Sequence, residues 1–299
     1  MKMNEETLFE DAARVWLSIK RLEVKGNTYS ESYERTIDKI LLPRMKTLRL
    51  GDIDREFTAK LFGELAELYS NSTLHKCQLA IEGVFNEATY AGAQLAPLPK
   101  IKIKSKVESK QKRTYSADEV EILRDFCQTH RYGLSVLILL ELGLRCSEML
   151  ALRWEDIDFA LKSVYIKQAC VSVSGLPVVD VPKSKTSIRE LPLSDWFRDY
   201  LQFYKCGCTG YIINTGSKLM TPANYTKHRY NKLFADFTAD TGIIRLSPHE
   251  LRHTCGTLLY KKTGDIYAVS KYLGHSSVAI TSKYYVHSDV EMLRERLKI

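Results

Sequence analysis

Along residues 5–95 apolar positions recur every three or four residues, with polar residues filling the gaps. In "LFEDAARVWLSIK", Leu8, Ala12, Val15, Trp16 and Ile19 share one helical face. "YSESYERTIDKILLPRM", "TAKLFGELAELY" and "STLHKCQLAIEGVFNEATYAG" repeat that period, each bounded by Gly, Pro, Ser or Asn. Four such segments in succession predict a small helical bundle. A second helical unit opens at Ser116, which forms a capping box with Glu119 ahead of an apolar run. Helical spacing then continues to about residue 158.

The pattern changes after that point. "SVYIKQACVSV", "LPVVDVP" and "SIRELPL" are short, rich in β-branched residues and separated by turn signals. They predict one small antiparallel sheet with hairpin turns near Gly175 and at "KSKT". Helical spacing resumes at "DWFRDYLQFY" and runs to the end, apart from a short strand expected at "YIIN". The expected fold class is mainly α with a small antiparallel β-sheet.

Charge adds a boundary to this picture. The 299 residues carry 44 basic and 36 acidic side chains, a net charge of +8. "KIKIKSKVESKQKR", residues 100–113, holds Lys100, Lys102, Lys104, Lys106, Lys110, Lys112 and Arg113 against one acid, Glu108. This run follows "APLP" and precedes the Ser116 cap, so it reads as a basic linker between two folded units, 1–99 and 114–299. A polyanion running past both units would be neutralised there, and nucleic acid is the partner this suggests. Composition is that of a globular chain, 44% hydrophobic and 27% charged. The start, "MKMNEETLFED", has no apolar core of a secretion signal. "VLILL" is the longest apolar run, far short of the roughly 20 residues a membrane helix needs. Seven scattered cysteines suggest reduced thiols in a cytoplasm, and the C-G-C at Cys206 and Cys208 has no second pair to complete a zinc site.

Three stretches carry candidate chemistry. In "LELGLRCSEMLALRWEDID", Arg145 and Glu148 stand three apart in an apolar helical setting, where a charge needs a partner. In "SPHELRHTCG", Ser247, Pro248 and Glu250 make a strong helix start, and His249 and Arg252 follow on one face. Helix N-termini favour anions, and arginine grips phosphate through two nitrogens. "HELRH" also matches the H-E-x-x-H zinc protease motif. The third histidine of the longer metzincin pattern would fall at Leu259, however, and two ligands do not make a catalytic zinc site. In "KYLGHSSVAITSKYYVH", Gly274 closes one helix, His275 occupies the turn, and Ser276 or Ser277 caps a helix that carries Tyr284 and Tyr285.

Taken in order, Arg145, His249-x-x-Arg252, Leu273-Gly274-His275 and a tyrosine about ten residues on resemble the tyrosine recombinases, or phage-type integrases. The resemblance spans residues 114–299 and is looser over residues 5–100, which look like the helical core-DNA-binding domain of that family. It implies DNA strand cleavage and rejoining through a covalent 3′-phosphotyrosine, with no metal, ATP or other cofactor. Arg145, Lys185, His249, Arg252, His275 and Tyr285 would be catalytic, with Glu148 and His253 supporting. Lys185 falls where the family keeps a catalytic lysine, with Lys183 as its near neighbour. Nine residues beyond His275 is Tyr284 and ten is Tyr285; Tyr-x-His occurs only as Tyr285-Val286-His287, which favours Tyr285. Adjacent helical residues point about 100° apart, so only one of the two can face a phosphate.

The tail, "HSDVEMLRERLKI", has a capping box at Ser288 and Glu291 and an apolar stripe of Val290, Leu293 and Leu297. By resemblance this tail helix docks on a neighbouring protomer in a homo-tetramer on synapsed double-stranded DNA. The same resemblance leaves room for an accessory directionality factor and implies a cytoplasmic, DNA-associated protein of bacterial or phage origin. The rival readings are a type IB topoisomerase-like relaxase, a non-catalytic DNA-binding protein of the same fold, and a zinc hydrolase.

Overall fold

Acidic Glu10 and Asp11 in the first turn and basic Lys20 and Arg21 in the last complement the dipole of α1 (Phe9–Glu23). Its inward face of Phe9, Ala12, Ala13, Trp16 and Leu17 is buried. In this computed structural model α2 (Gly26–Thr28) passes through two π-helical segments, Tyr29–Glu34 and Ile37–Leu41, into α3 (Leu42–Met45). Asp54 caps α4 (Arg55–Leu68) by accepting from Phe57 N at 2.8 Å, and α5 (Asn71–Tyr90) completes the bundle. The structure describes residues 2–98, 101, 104–107, 113–173, 175–181, 187–213 and 219–285. Of Asn27, Ile280, Lys283, Tyr284 and Tyr285 it describes the backbone alone. Phe9, Ile37, Leu41, Leu65, Ile81 and Val84 form the core of this first unit. Gly83 lets α5 meet α1 closely, since a Cβ there would stand 2.5 Å from Trp16 Nε1.

The chain divides into two compact units, Met1–Gln111 and Lys112–Ile299. The basic run between them is not a uniform tether. Ser105 donates to Asn71 Oδ1 (2.7 Å) and to Tyr69 O (2.7 Å), and Lys106 N donates to Ala66 O (3.0 Å). Lys106 also pairs with Glu67, while Lys104 is exposed. Those backbone bonds seat residues 105–106 on the α4–α5 connection, so that part of the run belongs to the first unit. Arg113 pairs with Glu119 in the second unit. Lys100, Lys102, Lys110 and Lys112 lie outside the described residues.

In the second unit the Ser116–Glu119 capping box opens α6 (Ala117–Thr129). Next, α7 (Gly133–Glu141) is buried along Val136–Leu140, as its uninterrupted apolar run requires. After α8 (Cys146–Ala151) and a 3-10 turn come β1 (Ile157–Asp158), β2 (Ser163–Ile166), β3 (Ala169–Val173), β4 (Leu176–Asp180) and β5 (Arg189–Pro192).

The expected single sheet is two among the described residues. The antiparallel order is β1-β2-β5, with Val164 opposite Leu191 and Ile166 opposite Arg189, while β3 and β4 pair only with each other. The reason lies at Lys167-Gln168, which interrupt the first predicted strand. Ahead of them Val164 and Ile166 are buried and pair with β5; beyond them the strand turns back at Gly175 (φ 81°). The "KSKT" turn lies outside the described residues. Among the described residues the strand expected at "YIIN" is one bridge, Tyr211 to Arg153, flanked by Trp154 N donating to Gly210 O (2.9 Å) and Ile212 N to Leu152 O (3.0 Å).

Helices fill the rest: α9 (Asp195–Lys205), α10 (Pro222–Tyr225) leading through Thr226–Tyr230 into α11 (Asn231–Thr241), α12 (Pro248–Thr263), α13 (Ile266–Leu273) and α14 (Val278–Tyr285). Val136, Leu139, Trp154, Leu191, Phe197, Tyr230, Phe234 and Phe237 belong to one core.

Candidate active site

Four segments meet over one face of this core, and a glycine makes the meeting possible. Gly143 sits at φ +57° between α7 and α8, and a Cβ there would stand 2.8 Å from Leu273 Cδ2 and 3.0 Å from Cys255 Sγ. Its carbonyl accepts from Arg252 Nη1 at 2.8 Å. Gly143→Ala therefore meets both a left-handed backbone and a crowded contact. It is expected to cost about 1–3 kcal/mol. An unchanged melting temperature would refute this.

Arg145 is the N-cap of α8, with extended backbone (φ −68°, ψ 148°), rather than a residue within the helix. Its pairing with Glu148 thus comes from cap geometry, not from a shared helical face. Glu148, third in the helix, accepts from Arg145 N at 3.0 Å and from Arg145 Nη1 at 2.6 Å. Arg189, at the start of β5, spans the same carboxylate: Nη1 to Oε1 at 3.4 Å and Nη2 to Oε2 at 3.1 Å. Arg252 Nη1 lies 3.8 Å from Oε2.

Glu148 is 2% exposed. Burial alone pushes its carboxyl up, but Arg189, then Arg145 and Arg252, outweigh that and hold it below the usual range. One carboxylate among three guanidiniums leaves surplus positive charge, the complement of a phosphodiester.

The arginines differ in access. Arg145 keeps 38% of its side chain exposed and donates from Nη2 to Gly274 O at 3.3 Å. Arg252 is 1% exposed, and its Nη1 and Nη2 hold the carbonyls of Gly143 and Leu273. Arg145 is the accessible one of the two, and Arg252 lies beneath it.

On α12, Ser247 N donates to Glu250 Oε2 at 2.7 Å and Ser247 Oγ accepts from Glu250 N at 3.3 Å, with Pro248 at the first position. This cap sets His249 in the first turn, edge-on to buried His253 with ring centroids 4.6 Å apart. Among the described residues, no group of three or more His, Cys, Asp or Glu is placed to hold a metal ion. At the end of α13, Gly274 (φ 66°) turns the chain so that His275 N donates to Ser270 O at 3.0 Å. His275 Nδ1 lies 2.8 Å from Thr281 Oγ1 on α14.

Burial, followed by the charges of Arg252, Arg145, His249 and Arg189, lowers the His275 pKa to about 4. The ring is neutral at pH 7 and can donate one hydrogen bond. Unfolded histidine titrates near 6.5, so between 6.5 and 4 the unfolded chain gains a proton that the folded chain does not. Stability contributed by His275 is thus present above pH 6.5 and is lost as pH falls toward 4. Urea unfolding at pH 7 and pH 5 is expected to show a smaller pH difference in His275→Gln than in the parent. Equal differences would refute it.

Arg145, Glu148, His249, Arg252, His253 and His275 all belong to this assembly. Lys183 and Lys185 lie outside the described residues, as does the tail helix. Tyr284 and Tyr285 end α14, and their side chains are outside the description as well.

Two residues were not anticipated. Arg189 is buried and also donates from Nε to Tyr272 O at 2.8 Å and from Nη1 to Ser187 O at 3.0 Å. A signal for it existed: in "RELP" the strand period places Arg189 on the inward face with Leu191, where a charge must find a partner. Thr281 is fully buried, and nothing local in the sequence tied it to His275.

Residues 113–292 match the model of the phage integrase family. A tyrosine recombinase XerC-like protein of Caldanaerobacter subterraneus subsp. tengcongensis is 26% identical over 214 residues, covering 63% of this chain and 52% of that protein. The ICEBs1 integrase of Bacillus subtilis is 30% identical over 155 residues, covering 48% of this chain and 42% of that protein. The chain thus spans about half the length of these curated relatives. Among solved structures, the Tn1549 transposon integrase in complex with transposon right end DNA superposes with a TM-score of 0.77 at 19% identity, covering 98% of this chain and 99% of that one. At that identity the match shows the fold: mainly helical, with small antiparallel sheets.

Proposed function

Because the chain belongs to the phage integrase family, we propose that it is a site-specific tyrosine recombinase that cleaves and rejoins double-stranded DNA through a 3′-phosphotyrosine. The observation that carries this reading is the buried Glu148 carboxylate with three arginines gathered on it and His275 within reach of their charge. Such a surplus of fixed positive charge stabilises a pentacoordinate phosphorane without moving any group at the moment of reaction.

The assigned chemistry runs as an exchange of phosphoesters. The phenol oxygen of Tyr285, or of Tyr284 in the alternative assignment, attacks the scissile phosphorus. His249 takes the phenol proton. Arg145 holds a non-bridging oxygen, Arg252 contributes positive potential from beneath, and His275 donates a hydrogen bond to the phosphate. As the bond from phosphorus to the 5′ oxygen breaks, Lys185 protonates the leaving oxygen; Lys183 is the alternative. One ester replaces another, so the bond energy is retained for rejoining by a 5′-hydroxyl and no ATP is required. Glu148 and His253 are supporting residues.

Residues 1–99, within the first unit, are assigned as the core-DNA-binding domain, and residues 114–299, within the second, as the catalytic domain. The remaining cations of the basic run are assigned to the DNA backbone. The partner reading comprises a homo-tetramer on synapsed DNA, a tail helix docked on a neighbour, and an accessory directionality factor. The curated XerC-like and integrase relatives, and the DNA-bound solved structure, support the DNA assignment. Among the described residues no helix is long and apolar enough to cross a membrane, and the proposed setting is bacterial cytoplasm.

The test is covalent capture on a nicked duplex built from the DNA flanking the gene. The parent is expected to form a DNA adduct equally well with and without a strong chelator. Dependence on zinc would turn the reading toward the zinc hydrolase. On a supercoiled plasmid carrying the same DNA, relaxation without recombinant product would turn it toward the topoisomerase-like relaxase.

A further inference from the structure

His275 has two ring nitrogens, and only one presents a proton when the ring is neutral. Which one it is decides whether the ring can donate to a phosphate. The contact that settles this comes from α14, the helix that carries both tyrosines. Thr281 is 0% exposed, and its Oγ1 stands 2.8 Å from His275 Nδ1. Among the described residues this ring nitrogen is the hydrogen-bond partner found for that hydroxyl.

A buried hydroxyl hydrogen needs an acceptor. If Thr281 donates to Nδ1, the hydroxyl is satisfied and the ring proton resides on Nε2. If Nδ1–H donated to Thr281 instead, the buried hydroxyl hydrogen would lose its acceptor. Burial of the ring and the charges of Arg252, Arg145, His249 and Arg189 around it oppose a second proton, so the choice between tautomers is a real one.

We propose that Thr281 is a positioning residue for the reaction: its hydroxyl fixes His275 as the Nε2–H tautomer and ties that phosphate donor to the tyrosine-bearing helix. This rests on the recombinase reading given above. Thr281 is three residues before Tyr284 and four before Tyr285, one turn away on the same helix. Seating α14 therefore brings the nucleophile's helix and orders the histidine in one event. A helix withdrawn from the site would leave His275 without its lock.

The experiment uses the full chain with 15N-labelled imidazoles, without DNA, and the His275 signals are assigned by their loss in His275→Gln. The parent is expected to show a protonated Nε2 and an accepting Nδ1. Thr281→Val, which keeps the shape and removes the hydroxyl, is expected to give mixed tautomers; Thr281→Ser is expected to restore the parent pattern. On the nicked flanking duplex, Thr281→Val is expected to slow single-turnover adduct formation about 10–100-fold with unchanged DNA affinity, and Thr281→Ser to recover most of the rate. A parent that carries its proton on Nδ1 overturns the proposal without any variant. A Thr281→Val protein with the parent's rate overturns it too. If the parent binds the duplex but forms no adduct, the recombinase reading and the catalytic part of this inference fall, while the nitrogen signals still decide the contact itself.

Discussion

Tyr285→Phe is expected to abolish covalent capture on the nicked duplex, whereas Tyr284→Phe retains it. The phenol oxygen is the only atom removed, so a residue that merely packs tolerates the change and a nucleophile does not. Adjacent residues of an α-helix point about 100° apart, so one of the pair at most can take the role. Peptide mapping of the trapped adduct reads the attachment point directly. Loss confined to Tyr284→Phe would keep the reaction class and move the nucleophile to nine residues beyond His275. Retained adduct in both single variants and in the double variant would remove tyrosine chemistry altogether. No adduct from a parent that binds the same DNA would leave the non-catalytic binding protein as the better reading.

Glu148→Gln is expected to be the most damaging substitution away from the reacting atoms. Glu148 is 2% exposed; both its oxygens receive nitrogens of Arg189, 41 positions away, and Oε1 also receives Arg145 Nη1 from the cap of the same helix. Neutralising it leaves Arg145, Arg189 and Arg252 crowded together with no counter-charge. Breaking a buried ion pair by removing one partner costs about 3–5 kcal/mol. In a unit of this size that lowers the melting temperature by roughly 10 °C.

The pH dependence separates this cause from a mere packing defect. The Glu148 carboxyl is held below its ordinary range, so its contribution is present above the unfolded value near 4.5 and is lost as pH falls through the depressed folded value. The destabilisation by Glu148→Gln should therefore be large at pH 7 and shrink on acidification. A deficit that stays constant down to acid pH would argue against charge as the cause. Arg189→Met, which removes the most buried direct partner, should reproduce part of the effect and add little in the double variant, because the two act as one unit.

Much of this protein is legible along the chain because its signals are local. The Ser116–Glu119 and Ser247–Glu250 caps, the Gly274 helix end and the buried α7 run each depend on a few neighbouring residues, and each forms as written. The order Arg145, His249, Arg252, His275 and a tyrosine carries the resemblance to the tyrosine recombinases for the same reason: residue type and spacing survive in one dimension. Tertiary structure decided what spacing cannot express. Arg145 proved to be a cap because the turn at Gly143 precedes it. Arg252 is buried because α13 ends against it. Glu148 is shared with Arg189, 41 positions away, and His275 is neutral because it is buried and because three arginines and His249 surround it. Charge interactions fall off with distance in space, not along the chain, so their strength and their partners exist only once the segments have been brought together.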